Sequence, residues 1–179
     1  MALTTGFAVD CANGGCSGGI VRIFLANKQD LDTGVGVNGF TEGTQGIFTA
    51  VTMNALAVFY QVDPVRFSAS FNESGAQGEN NCTYAYTQDI AFTLPCTQDV
   101  DTRNFIEDMQ NQNCCGMVAI VEYTDGTYKA VGYLTNQFVT MNTSEATSGT
   151  ALTDANHVVV TLQTVSVEPA RVFTGAVPL

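Results

Sequence analysis

The sequence has no tryptophan, one histidine and four prolines among 179 residues, and only 6 basic side chains against 17 acidic ones. Each shortage excludes something. With His157 as the sole histidine, a Ser–His or Cys–His nucleophile pair has one available base, and no G-x-S-x-G elbow accompanies it. A formal net charge of -11 repels phosphate backbones and argues against direct binding of DNA or RNA. No apolar run is long enough to span a bilayer, so a soluble protein is expected. The start, "MALTTGFAVD", lacks the basic and apolar regions of a secretion signal, so a reducing compartment is expected. Under that expectation Cys11, Cys16, Cys82, Cys96, Cys114 and Cys115 are free thiols. A four-thiolate zinc site from Cys11, Cys16, Cys114 and Cys115 is the alternative, although C-x4-C and a vicinal pair are not knuckle spacings. Without a secretory route, the glycosylation-like triplets at Asn72, Asn81 and Asn142 carry no weight.

What is present is strand-forming. Gly, Thr, Val and Ala are frequent, hydrophobic residues make up 45%, and the chain is long enough for one domain with a buried core. "IVRIFL" (20–25) reads as a strand after a glycine-rich lead-in, and residues 27–46 as a polar loop. "IFTAVTM" (47–53) and "ALAVFYQV" (55–62) are apolar on both faces, which calls for a sandwich interior or a surface buried against another molecule. "VRFSASFN" (65–72) alternates as a half-buried strand, with Val65, Phe67, Ala69 and Phe71 on one face. "ESGAQGENN" (73–81) reads as a turn. A long strand then places Cys82, Tyr84, Tyr86, Ile90, Phe92, Leu94 and Cys96 on one face, the two cysteines as small core residues.

Residues 99–112 are the one helix expected, with Asp99 and Asp101 at its start and a Phe105, Ile106, Met109 stripe. "GMVAIVEY" (116–123) is apolar nearly throughout and should be a central strand. Asp125-Gly126 should turn it through a two-residue hairpin into "TYKAVGYL". "QFVTM" (137–141) follows as a short strand, residues 142–156 as a loop and "HVVVTLQTVSV" (157–167) as a long strand. The expected fold is therefore mainly β: a β-sandwich or partly closed barrel of about eight strands with one flanking helix, in a single domain over 1–179.

Two motifs invite chemistry. Asn27-Lys28-Gln29-Asp30, after an apolar strand, resembles the guanine-reading motif of GTP-binding proteins. Nucleotide binding also needs G-x-x-x-x-G-K-[ST], and "GGCSGG" runs instead into Ile20-Val21-Arg22. The simpler reading is a strand end turning into a loop. "DLDTGVGVNG" starts like a calcium loop but lacks the further carboxylates and closing Glu. No catalytic, cofactor-binding or metal residue is assigned.

In order along the chain, "SGGIVRIFLAN", "RFSASFNESGAQGENNCTYAYTQDIAFTLPC", "YTDGTYKAVGY" and "SGTALTDANHVVVTLQTVSVEPARVF" resemble tail tube proteins of long-tailed bacteriophages, particularly those of Bacteroidetes hosts. Shared features are a D/N-G-x-Y hairpin, a following "xVGY", a Gly-Thr-Ala loop, an Asp-Ala-Asn turn and a last long strand ending near "EPA". Residues 32–60 match least, and the absence of Trp and the many cysteines depart from the pattern. The resemblance implies a non-enzymatic virion protein without cofactor, assembled in the bacterial host cytoplasm and ending in the virion tail. Its hexameric rings would stack into a tube that passes phage DNA without specific binding. Its partners would be further copies of itself, a tail terminator and tail-tip or baseplate proteins, with no membrane. Under it, residues 27–62 become a loop or hairpin extension used in assembly, with Phe48, Val51, Met53, Leu56, Val58, Phe59 and Tyr60 as interface residues. The alternatives are a capsid decoration, head-completion or tail-terminator protein, and, from another class, a small ligand-binding β-sandwich.

Overall fold

The computed structural model of the chain describes residues 18–44, 46–79, 82–95, 97–151 and 154–179. In chain order the strands are β1 (Ile20–Asn27), β2 (Phe40–Glu42), β3 (Ile47–Val51), β4 (Tyr60–Val62), β5 (Ser70–Gln77) and β6 (Tyr84–Pro95). Helix α1 (Val100–Gln112) follows, then β7 (Met117–Tyr123), β8 (Tyr128–Val131), β9 (Thr140–Thr147), β10 (His157–Ser166) and β11 (Arg171–Phe173). They form a seven-stranded sheet in the order β2-β3-β11-β8-β7-β1-β4 and a four-stranded sheet in the order β5-β6-β10-β9. Neither sheet closes on itself, so the fold is a mainly β sandwich with a flanking helix and the barrel form is excluded. Three of the eleven described strands (β2, β4, β11) span only three residues, too short for a periodicity to register.

Alternation in β1 and β7 explains why these strands look apolar throughout. Ile23, Leu25, Ala119 and Val121 face the small sheet, where they meet Ile90, Phe92, Val160 and Leu162 in the inter-sheet core. Phe24, Ala26, Val118 and Ile120 face the other way, into a second core with Phe40, Phe48, Phe59, Tyr133 and Phe173. The large sheet is thus covered on both faces near its centre. Helix α1 closes one end of the inter-sheet core with buried Met109 and partly buried Phe105 and Ile106, as the apolar stripe predicts.

Several expectations change. The runs 47–53 and 55–62 do not pair as a hairpin. β3 lies between β2 and β11, while β4 forms the opposite edge against β1, because both runs are consumed in covering the second face of the large sheet. Residues 65–68 form a turn and β5 begins only at Ser70; it then continues through Gln77, where a turn was expected, paired with β6 as far as Tyr84. β9 likewise runs to Thr147 through a stretch read as a loop. Both are polar strands held by backbone pairing rather than by an apolar face. Cys82 is exposed and is not a core residue; Cys96 lies outside the described residues. The β7–β8 connection is a three-residue loop, with Gly126 N–H donating to Tyr123 O, Tyr123 N–H to Thr127 O, and Gly126 at φ +81.

Candidate assembly surface

Of the seven predicted interface residues, Phe48 and Phe59 are buried in this chain's own second core, and Val51 and Met53 pack partly against it. Phe48 and Phe59 are thus core residues of the chain itself, with Val51 and Met53 at the border of that core. Val58 is half-buried. Leu56 and Tyr60 are exposed, Leu56 at φ +69 in the turn closed by Ala57 N–H to Asn54 O.

The second core is fixed from the side by one cation. The Arg171 guanidinium lies 5.2 Å from the Phe48 ring centre and 5.7 Å from that of Tyr133. It donates to Glu168 Oε2 at 2.6 Å and 3.0 Å, and its Nη1 lies 3.2 Å from Glu42 Oε1, an ion pair off the hydrogen-bonding direction. Tyr133 donates its hydroxyl to the same Glu168 carboxylate, and burial raises the pKa of this phenol well above its ordinary value. Apart from the Glu168–Arg171 pair, nothing short-range in the sequence signals this cluster, since Glu42, Arg171 and Tyr133 are brought together by the β2–β3, β3–β11 and β11–β8 pairings.

The guanine-reader look-alike is structural. Asn27 donates to Asp30 Oδ2 at 2.8 Å, and Lys28 Nζ donates to Tyr133 O at 3.0 Å. Half-burial lowers the Lys28 pKa to about 8. In the calcium-loop look-alike, Asp32 accepts from Gly34 N and the backbone is tied down by Asp32 N–H donating to Thr52 O. Of the four thiols weighed as a zinc site, Cys114 and Cys115 are exposed, and Cys11 and Cys16 lie outside the described residues. Among the described residues no three His, Cys, Asp or Glu side chains are grouped to hold a metal, and no helix is long and apolar enough to cross a membrane.

Among the described residues, three features stand open to a partner. The small sheet ends in two long strands, β5 and β9, that each pair with one other strand among the described residues. Most of β5 and nearly all of β9 beyond Met141 is exposed; Asn113, at the C-cap of α1, covers the start of β9 by donating to Met141 O and accepting from Met141 N–H. A groove of about 510 Å³ opens between β4 and α1, lined by Leu25, Tyr60, Phe105, Met109 and Met117 with Asp108 and Gln112 beside them. Beyond β4, the turn closed by Ser68 N–H to Val65 O holds Phe67 at φ +61 and 83% exposed, with the Arg66 guanidinium 4.6 Å from its ring centre. Comparison of the chain with protein-family models, with curated proteins and with solved structures returned no match.

Proposed function

We propose that this chain is a structural, non-enzymatic subunit of a phage tail tube, whose rings stack into a conduit for DNA. The observation that carries the reading is the small sheet, whose outer strands β5 and β9 each pair with a single strand among the described residues, β9 being exposed from Asn142 to Thr147. An uncovered edge is a standing invitation to add another strand, and joining β5 of one copy to β9 of the next satisfies both edges without leaving any open when a ring closes. Six copies of a four-stranded sheet supply roughly 24 strands; at about 4.8 Å per strand the ring would be about 37 Å across, wider than a nucleic-acid duplex.

The outward face of that sheet suits the lining of such a channel. Alternation with buried Gln88, Ile90 and Phe92 turns Thr87, Asp89, Ala91 and Thr93 outward, and alternation with Val158, Val160 and Leu162 does the same for Val159, Thr161 and Gln163. Glu145, opposite Val159 in register, joins them from β9. The face carries the carboxylates Asp89 and Glu145 and no lysine or arginine, so it offers phosphates repulsion and no anchor. Terminator and tip proteins would cap the ends of such a tube. Electron microscopy of the purified chain over a concentration series tests the reading. Six-fold rings or tubes are expected, and proline at Ser144 or Glu145, whichever directs its N–H away from β10, should abolish them without unfolding the chain. A particle that remains a monomer or trimer at every concentration would favour a decoration protein.

A further inference from the structure

The turn after β4 and the groove beside it are matched in chemistry. Phe67 combines two unfavourable features at one position: a bulky side chain in the left-handed backbone region, and a ring left 83% exposed. Its own fold draws no packing from either. The adjacent Arg66 stacks on that ring and, among the described residues, has no carboxylate in ion-pairing distance, on a chain with 17 acidic and 6 basic residues. The groove between β4 and α1 has the complementary set. Its apolar wall is Leu25, Phe105, Met109 and Met117, Asp108 supplies a carboxylate, and Gln112 Oε1 is buried without a hydrogen-bond partner. Its volume of about 510 Å³ falls in the range that takes a whole small ligand, so an aromatic ring with part of a guanidinium fits.

We infer that the Arg66–Phe67 turn of one copy inserts into the β4–α1 groove of a second copy, the ring against the apolar wall and the guanidinium toward Asp108 and Gln112 Oε1. Charge complementarity selects the occupant: an exposed cation beside an exposed ring is rare on this surface, and the groove offers both an anion and an unused acceptor. Plug and groove are different patches of one chain, so the contact is heterologous: an open complex keeps a free plug and a free groove at its ends, and a closed ring keeps neither. It deepens the conduit reading by naming a contact between subunits, and rests on that reading's premise that the chain self-associates.

Sedimentation velocity on three samples tests it. Phe67→Gly removes the plug and relieves the positive φ, so it should melt at or above the parent temperature while associating about thirtyfold or more weakly. Asp108→Arg repels the plug and should be equally weak. Neither variant should associate alone, yet an equimolar mixture should form a dimer and stop there, since only one intact plug and one intact groove remain. Combining Arg66→Asp with Asp108→Arg in one chain should restore association. Parent-like association of Phe67→Gly, or a mixture that stays monomeric, overturns the inference, as does a parent that is monomeric throughout. A small apolar molecule bound in the groove of the parent without affecting association would assign the groove to a ligand and overturn it too. Failure of the conduit reading looks different: plug-dependent oligomers would form, but without six-fold rings.

Discussion

Replacing Phe48 by alanine separates a core residue from an interface residue. Phe48 is fully buried, with ring centres of Phe40 and Tyr133 at 5.0 and 4.9 Å and the Arg171 guanidinium at 5.2 Å. A phenylalanine buries roughly 150–250 Å² and apolar area contributes about 25 cal/mol per Å², so the loss is about 4 kcal/mol, within the about 3–5 kcal/mol usual for such truncations. β3 and β11 pair at this position, Phe173 opposite Phe48, so the two backbones cannot easily collapse into the space. With a urea m-value of about 2 kcal/mol/M, the unfolding midpoint should fall by about 2 M. Phe48→Leu, which keeps most of the volume, should lose less than half as much. The assay is equilibrium urea unfolding followed by far-ultraviolet circular dichroism at a concentration where the chain is monomeric. A midpoint within about 0.5 M of the parent, together with lost association, would refute the placement of Phe48 in the core and return it to an interface.

Three further outcomes are expected. Because burial lowers the Lys28 pKa from 10.5 to about 8, the unfolded chain holds more protons than the folded chain between those values, so this residue's contribution to stability rises with pH across that window. Tyr123, raised to about 12 by burial and then by the charges of Glu73 and Asp125, acts oppositely above pH 10; the difference in melting temperature between parent and Lys28→Met should therefore climb from pH 7 to 10, and a flat difference would contradict the burial of Lys28. Glu73→Ala removes one of the two acceptors of the buried Gln88 amide, at 2.8 Å, leaving Glu168 O at 3.2 Å, and removes the acceptor of Ala170 N–H at 2.6 Å, so it should cost about 1–3 kcal/mol in chemical denaturation, with Glu73→Gln milder. Gly116→Ala meets the Phe138 ring at a φ of +83 and should lower stability by more than about 1 kcal/mol, whereas alanine at Gly46, with open space around it, should cost less in the same thermal scan.

The parts of the fold legible in the sequence are those where periodicity and burial coincide. The stripe of Phe105, Ile106 and Met109 marks α1, and the unbroken apolar run of β7 marks a strand covered on both sides. Where edge strands are exposed, pairing replaces patterning: "ESGAQ" in β5 and "TSEAT" in β9 carry no apolar alternation to read. In "VRFSASFN" the alternation was present but misleading, since Phe67 leaves the extended backbone and points to solvent. The two-sided hydrophobicity of residues 47–62 had two physical solutions, an interior or an interface. The second core resolves Phe48 and Phe59 to the interior, a choice that depends on Tyr133 and Phe173 from distant sequence. The plug-and-groove pair was not legible because Asp108 and Gln112 join Tyr60 only through packing of α1 beside β4.

The parallel pairing of β11 with β3 also sets the order of events during synthesis. Phe48 O accepts from Thr174 N–H at 2.8 Å, and Phe59 N–H donates to Pro178 O at 2.9 Å, so residues beyond 170 complete a core begun before residue 60. A nascent chain that has emerged only through β10 has no inner neighbour for β3 and leaves Phe48 without Phe173 and Arg171. Such long-range closure is slow and comes late. Until β11 has emerged, Phe48 lacks its cover from Phe173 and Arg171 and stays open to non-native contacts with other chains.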